Sequence, residues 1–326
     1  MRLLILGGTH FVGRAVAEEG VARGWDVTLF NRGTSPAPTG TRSLLGDRTD
    51  PDGPAALADG VWDVVVDTWT AAPRAVRDAA APLSASAGRY VYVSSRSVYR
   101  WPVAAGADET APLVPGSPDA EDGDYGANKR GGELAALAAF GDRALLLRAG
   151  LILGPHEDVG RLPWWLRRVA RGGPVLAPGP RELPLQYVDA RDLAAFALDG
   201  AVAGLSGPYD TVGRSGAATM GELLDACVDV TGADAELCWT DPETVAAAGI
   251  EPWSELPVWT PPGELHGALH RADAGRARAA GLRCRPLAAT VADTWAALGA
   301  TRPHPRATTG LSPDKEAAAL RARGGV

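Results

Sequence analysis

The chain has 326 residues, 46% of them apolar, and its 32 basic and 39 acidic residues give a formal net charge of -7. That length suits one large domain, or a large domain with a smaller lobe, and needs no disulfide or metal staple. An acidic chain has no global attraction for nucleic acid or anionic lipid, and no apolar run approaches the ~20 residues of a membrane helix.

The first predicted strand, Leu3 to Leu6, runs into Gly7-Gly8-Thr9-His10-Phe11-Val12-Gly13, and a helix follows with Val12, Ala15, Val16 and Val21 near one face. Glycines at such a turn let the backbone approach a pyrophosphate, and the helix N-terminus adds free N–H groups and a favourable dipole. A dinucleotide site is therefore expected here, with Gly7, Thr9, His10, Phe11, Val12 and Gly13 as its contacts. His10 stands where a middle glycine is usual; it either donates to a phosphate or points out of the turn. The second strand, Val27 to Phe30, ends at Asn31-Arg32-Gly33. An acid at its end would bind the ribose 2′-hydroxyl of NAD, whereas Arg32 suits a 2′-phosphate; NADP(H) is favoured, with NAD(H) as the alternative. After a third strand, Asp47 is placed to accept from the adenine amino group, unless it is an ordinary loop aspartate.

Further apolar runs occur at Val64 to Val66, Tyr90 to Val93 and Ala144 to Leu147. Continuous apolar runs suit strands buried on both faces, and their alternation with helical stretches predicts right-handed βαβ units. The expected fold is α/β: a Rossmann-like, doubly wound parallel sheet with a smaller C-terminal substrate lobe. The expected division is a dinucleotide-binding domain over 1–153, a lobe over 154–299 with 186–200 returning to the sheet domain, and a surface tail over 300–326.

The fifth strand leads into Ser94-Ser95-Arg96-Ser97, and thirty residues after Ser95 come Tyr125 and Lys129. Residues four apart on a helix share a face. Tyrosine's ordinary pKa of ~10 is high for acid/base work near neutrality, and a nearby ammonium lowers it. A serine hydroxyl opposite holds a substrate oxygen. Ser95, Tyr125 and Lys129 are the candidate catalytic residues, and Ser97 a candidate substrate contact.

In the second half, Trp164 and Trp165 are either walls of a substrate cleft or core residues. Arg167, Arg168 and Arg171 read as a solvated helix face, with an anion grip as the alternative. His266 and His270, four apart but without a third ligand, read as surface histidines; no metal is expected. The three cysteines, Cys227, Cys238 and Cys284, are sparse and not in metal-ligand spacing, which suits a reduced, cytoplasmic protein. The expected partner is a small-molecule substrate, the expected assembly a monomer or homodimer.

The order glycine turn, Ser95, Tyr125-x-x-x-Lys129 resembles the extended short-chain dehydrogenase/reductases, the NAD-dependent epimerase/dehydratase family. The segments Asn31-Arg32-Gly33, Arg148 to Pro155, Arg171-Gly172-Gly173, Gln186 to Leu193 and Gly281 to Leu287 resemble an atypical branch. That branch includes the chloroplast stem-loop RNA-binding proteins and bacterial reductase-like relatives. The resemblance implies that Ser95 orients the substrate, Tyr125 is the acid/base and Lys129 holds the nicotinamide ribose; Arg148 is expected among the cofactor contacts. Dehydratases of the family carry Asp-Glu where this chain has Arg96-Ser97, which disfavours elimination of water. The activity expected is NAD(P)-dependent oxidation or reduction of a small carbonyl or hydroxyl compound. The alternatives are a sugar-nucleotide epimerase with the same trio and a non-catalytic dinucleotide- or RNA-binding protein.

Overall fold

The computed structural model describes residues 1–50, 53–57, 59–299, 307 and 309–323. The first half alternates strand and helix: β1 (Arg2–Leu6), α1 (Phe11–Ala22), β2 (Asp26–Asn31), β3 (Arg42–Leu45), β4 (Trp62–Asp67), α2 (Arg74–Leu83), β5 (Ala87–Ser95), α3 (Tyr125–Phe140) and β6 (Ala144–Ala149). The second half adds β7 (Leu151–Leu153), α4 (Arg161–Ala170), β8 (Gly173–Pro178), β9 (Pro184–Leu185), β10 (Tyr187–Asp189), α5 (Ala190–Val202) and β11 (Gly207–Thr211). It continues with β12 (Ala218–Thr219), α6 (Met220–Thr231), β13 (Ala235–Thr240), α7 (Pro242–Ala247), α8 (Glu264–His270), α9 (Gly275–Ala279), α10 (Leu287–Leu298) and α11 (Pro313–Arg323).

Seven strands form one parallel sheet in the order β11-β6-β5-β4-β1-β2-β3. Side chains of a strand alternate between faces, and β1 uses both. Leu3 and Ile5 pack with α1 and α5, while Leu4 and Leu6 pack with α2 and α3. All four are essentially fully buried, each adding ~1.5–3 kcal/mol of apolar burial. The chain winds from β1 outward to β3, then crosses back to β4 on β1's other side. At that reversal the loops after β1 and β4 diverge and open a crevice at the carboxyl edge, where such folds take ligands. Within 186–200, β10 pairs with β7 apart from this sheet and α5 packs beside α1, while the strand that the second half adds to the sheet is β11, paired with β6.

The lobe has its own core, built on Trp165, Leu166, Leu224, Trp259 and Val291. β8 and β13 pair in parallel within it. The expected surface tail is corrected: α11 is docked rather than trailing. Its Glu316 is buried, pairs with Arg168 and accepts from the Leu176 N–H at 3.1 Å. Arg168 is thus a buried ion-pair member, not part of a solvated face. Residues 300–306 of the expected tail lie outside the described residues. His266 and His270 are also corrected, being buried instead of on the surface. The His270 Nδ1 accepts from the Gln186 N–H at 3.1 Å, and its Nε2 lies 3.1 Å from the Val258 carbonyl. No described helix is long and apolar enough to cross a membrane.

Candidate active site

A cavity of about 1340 Å³ opens at the carboxyl edge of the sheet, between it and the lobe. It exceeds the ~300–1,000 Å³ of a single-ligand pocket, leaving space for a cofactor and a substrate together. Its first half is lined by Gly7, Thr9, His10, Phe11, Val12, Gly13, Asn31, Arg32 and Asp47. The structure brings these expected cofactor contacts together along one side of the cavity.

The turn after β1 is built for close backbone approach. Gly7 and Gly8 have φ of 117° and 95°, which L side chains rarely adopt. A Cβ on Gly8 would stand 2.6 Å from Leu29 Cδ2. The first turn of α1 has no acidic residue and no side-chain cap, so its N–H groups remain for an anion. His10 is the N-cap residue, and its Nε2 lies 3.0 Å from Ser35 Oγ. It thereby links the turn to the loop after β2. Asn31 Oδ1 accepts from the Gly33 N–H at 2.8 Å, while its buried Nδ2 has no partner among the described residues. Asp47 is held below the usual carboxylate range by the Thr49 hydroxyl and N–H, with the charge of Arg32 adding. A phosphate-accepting turn, an orphan amide donor and an exposed Arg32 fit a dinucleotide.

Beneath this half lies a pair that the sequence reading missed. Arg48 grips Asp67 bidentately at 2.6 and 2.8 Å, and Tyr90 donates to the same carboxylate at 2.6 Å. Arg48 is also buried beside Trp69, 4.9 Å from its ring. No local pattern marks an arginine as buried when its partner is 19 residues away.

The second half of the cavity carries the candidate chemistry. Ser95 ends β5, and its Oγ accepts from the Ser97 N–H at 3.1 Å. Asp124 caps α3 by accepting from the Ala127 N–H at 2.9 Å, which makes Tyr125 the helix's first residue. A Cβ on Gly126 would be 2.5 Å from the Ser97 carbonyl oxygen, so a glycine there lets α3 close on the Ser95 turn. Tyr125 and Ser95 line the cavity together with Ser97 and Lys129. The Lys129 ammonium, 1% exposed, donates to the Trp69 and Val93 carbonyls at 2.5 and 2.6 Å. Burial pushes it down to about 7, with Asp67 opposing.

The expected lowering of Tyr125 by Lys129 is not what this geometry gives. Partial desolvation raises the phenol from its ordinary value even though Tyr125 is 49% exposed, and Ser95 and Arg161 pull the other way. Arg148 is corrected as well. It is buried outside the cavity lining, gripping Glu133 at 2.8 and 3.0 Å and touching the Tyr99 hydroxyl and the Glu109 carbonyl, each at 3.2 Å. Its role is to tie β6 to α3. Arg96 turns to Asp210, so it offers no acid in place of the dehydratase pair.

Neither Trp164 nor Trp165 walls the cleft. Trp165 is fully buried and donates to the Pro257 carbonyl at 2.7 Å, and Trp164 packs against it edge-on, 4.6 Å between ring centroids. Trp69, Trp101 and Trp253 line the cavity instead, with Arg161, Thr260, Leu265 and Leu269 on the lobe side. Sequence reasoning missed Arg161 and Trp253, which are 92 residues apart and meet only in the folded lobe.

The fold and the family agree with this geometry. A Burkholderia cenocepacia structure is similar at a TM-score of 0.70 and 23% identity, over 92% of this chain and 98% of that one. The Thermus thermophilus UDP-glucose 4-epimerase, solved with NAD, is similar at 0.66 and 21%, over 92% and 100%. The Bacillus cereus UDP-glucuronic acid 4-epimerase, solved with NAD, is similar at 0.64 and 15%, over 91% and 98%. No match was found among curated proteins. Residues 3–199 match the profile of the NAD dependent epimerase/dehydratase family, and the chain belongs to that family of enzymes.

Proposed function

We propose that the protein is an NAD(P)-dependent oxidoreductase acting on a hydroxyl or carbonyl group of a small molecule. The observation that carries this reading is that Ser95, Tyr125 and Lys129 line one cavity, with Lys129 one helical turn beyond Tyr125 on α3. Gly7 to Gly13, Asn31, Arg32 and Asp47 would hold the dinucleotide. When bound, its nicotinamide supplies or takes up the hydride. Ser95 donates to the substrate oxygen and orients it. Tyr125 exchanges the proton at that oxygen, giving it during reduction and taking it during oxidation. Lys129 has three N–H donors, of which two are used by Trp69 and Val93; the third is left for a ribose hydroxyl. Arg32, with Asn31 in place of an acid, favours NADP(H), and NAD(H) is the alternative. Three unpaired cysteines suit a reducing compartment, hence the cytoplasm.

A second reading keeps the same trio for epimerisation through a transient ketone. It is favoured by the likeness to the two epimerases solved with NAD. Arg96 and Ser97 cannot act as an acid and a base, which disfavours dehydration.

The test incubates purified protein with a metabolite pool and each cofactor, following nicotinamide absorbance and product stereochemistry. Wild-type protein should turn over a substrate, faster with NADP(H). The Tyr125→Phe variant should fold, bind cofactor and lose ~10²-fold or more in turnover. Full turnover in Tyr125→Phe overturns the proposal.

A further inference from the structure

We propose that Arg161 is a substrate-anion clamp: the substrate carries a carboxylate or phosphate that reaches the lobe side of the cavity lined by Ser95 and Tyr125. The inference rests on the oxidoreductase or epimerase reading and names the substrate class within it.

Four observations support it. Arg161 is the first residue of α4 and lines the lobe side of the cavity. Its backbone is fixed, because the buried Glu157 carboxylate accepts from the Arg161 N–H at 2.7 Å and the Leu162 N–H at 3.2 Å. Its guanidinium stands 5.5 Å from the centre of the Trp253 ring. Trp253 adopts φ 66° and is held by its N–H to the Trp259 carbonyl at 2.9 Å. A left-handed tryptophan is strained, and such strain persists only where the surroundings enforce it. The ring is therefore a fixed platform for the fork.

The fork is also short of acceptors. Its Nε is buried without a hydrogen-bond partner among the described residues. The side chain keeps 22% of its surface open, and this open end of the guanidinium is what a substrate oxyanion would reach. Arg161 Nη1 is 3.9 Å from Glu157, well beyond the ~2.7–2.9 Å of a charge-assisted hydrogen bond. Burial pushes Glu157 up to about 7, so near neutrality it cancels the guanidinium only in part. The other cations at this end are committed: Arg96 to Asp210, and Lys129 to two carbonyls. Finally, Arg161 lines the same cavity as Ser95 and Tyr125.

Three probes that share a pyranose ring and differ at carbon 6 test the clamp: D-glucuronate, D-glucose 6-phosphate and D-glucose. Each is titrated into NAD-saturated protein, with calorimetry and tryptophan fluorescence as readouts. At least one anionic probe should bind tenfold or more tightly than glucose, and comparing the two tells carboxylate from phosphate. In Arg161→Gln the anionic advantage should shrink to about twofold, with NAD and glucose affinities unchanged. Arg161→Lys should keep a smaller advantage, since it retains the charge and loses the fork. Equal binding of all three probes, no saturable binding of any, or an undiminished preference in Arg161→Gln overturns the clamp. A fully active Tyr125→Phe would instead overturn the redox reading and leave the anion preference standing.

Discussion

Lys129 shows how burial and function bear on one side chain. Its ammonium is pushed down to about 7, so near neutrality much of it has lost its proton. A ribose hydroxyl bound to the third N–H, under a pyrophosphate's negative field, favours the charged form. Cofactor binding slightly above neutral pH should therefore take up protons. Calorimetry in buffers of different ionisation enthalpy measures this uptake, and Lys129→Met should abolish it while weakening binding. Uptake unchanged in Lys129→Met would sink the assignment. The trio was legible in the sequence because Tyr125 and Lys129 are one helical turn apart and Ser95 ends an apolar strand. The direction of the Tyr125 shift was not, because it depends on water access and on Arg161, 36 residues further along. Arg148 was misread for a related reason. An arginine at the end of a strand gives no sign of which side it takes, and Glu133 draws it away from the cleft.

Legibility at the level of elements followed burial. Strands covered on both faces, such as β1 and β4, stand out as apolar runs; β3 is largely exposed and lacks one. The helix α11 looked like a solvated tail because it is polar and alanine-rich, yet Glu316, Lys315 and the apolar Ala319 and Leu320 dock it. Glu316 reaches Arg168 and the Leu176 N–H, with Arg171 4.0 Å away. Replacing Glu316 by Ala leaves a buried guanidinium without its counter-charge, which costs ~3–5 kcal/mol in such settings. The low end is expected, since the Gly172 and Pro174 carbonyls still accept from Arg168. No residue of α11 lines the active-site cavity. Glu316→Ala should thus lower the melting temperature while cofactor affinity in the folded protein stays the same. An unchanged melting curve would show that the Glu316–Arg168 pair adds nothing to stability.

Sheet domain and lobe are joined by interleaved chain, and His270 sits in the joint. It receives the Gln186 N–H just before β10 and faces the Val258 carbonyl of the lobe, while the Ser215 hydroxyl donates to its own carbonyl at 2.7 Å. Only a neutral ring can accept at Nδ1 and donate at Nε2; a second proton would set Nδ1–H against the Gln186 N–H. Burial, with His266 at 4.7 Å, pushes His270 down to about 4. The unfolded chain binds this proton near 6.5 and the folded chain only near 4, so stability should fall as pH drops from 6.5 through 4. Glu157, raised to about 7, and Asp210, raised to about 6, act in the opposite sense, because the folded state holds their protons more tightly. The wild-type melting curve therefore mixes opposing slopes, and the difference between wild type and His270→Gln isolates the joint. Glutamine stays neutral, so the variant should be less stable than wild type above neutral pH but lose less on acidification to ~pH 5. Parallel melting temperatures for the two proteins across that range would show that His270 does not titrate with unfolding.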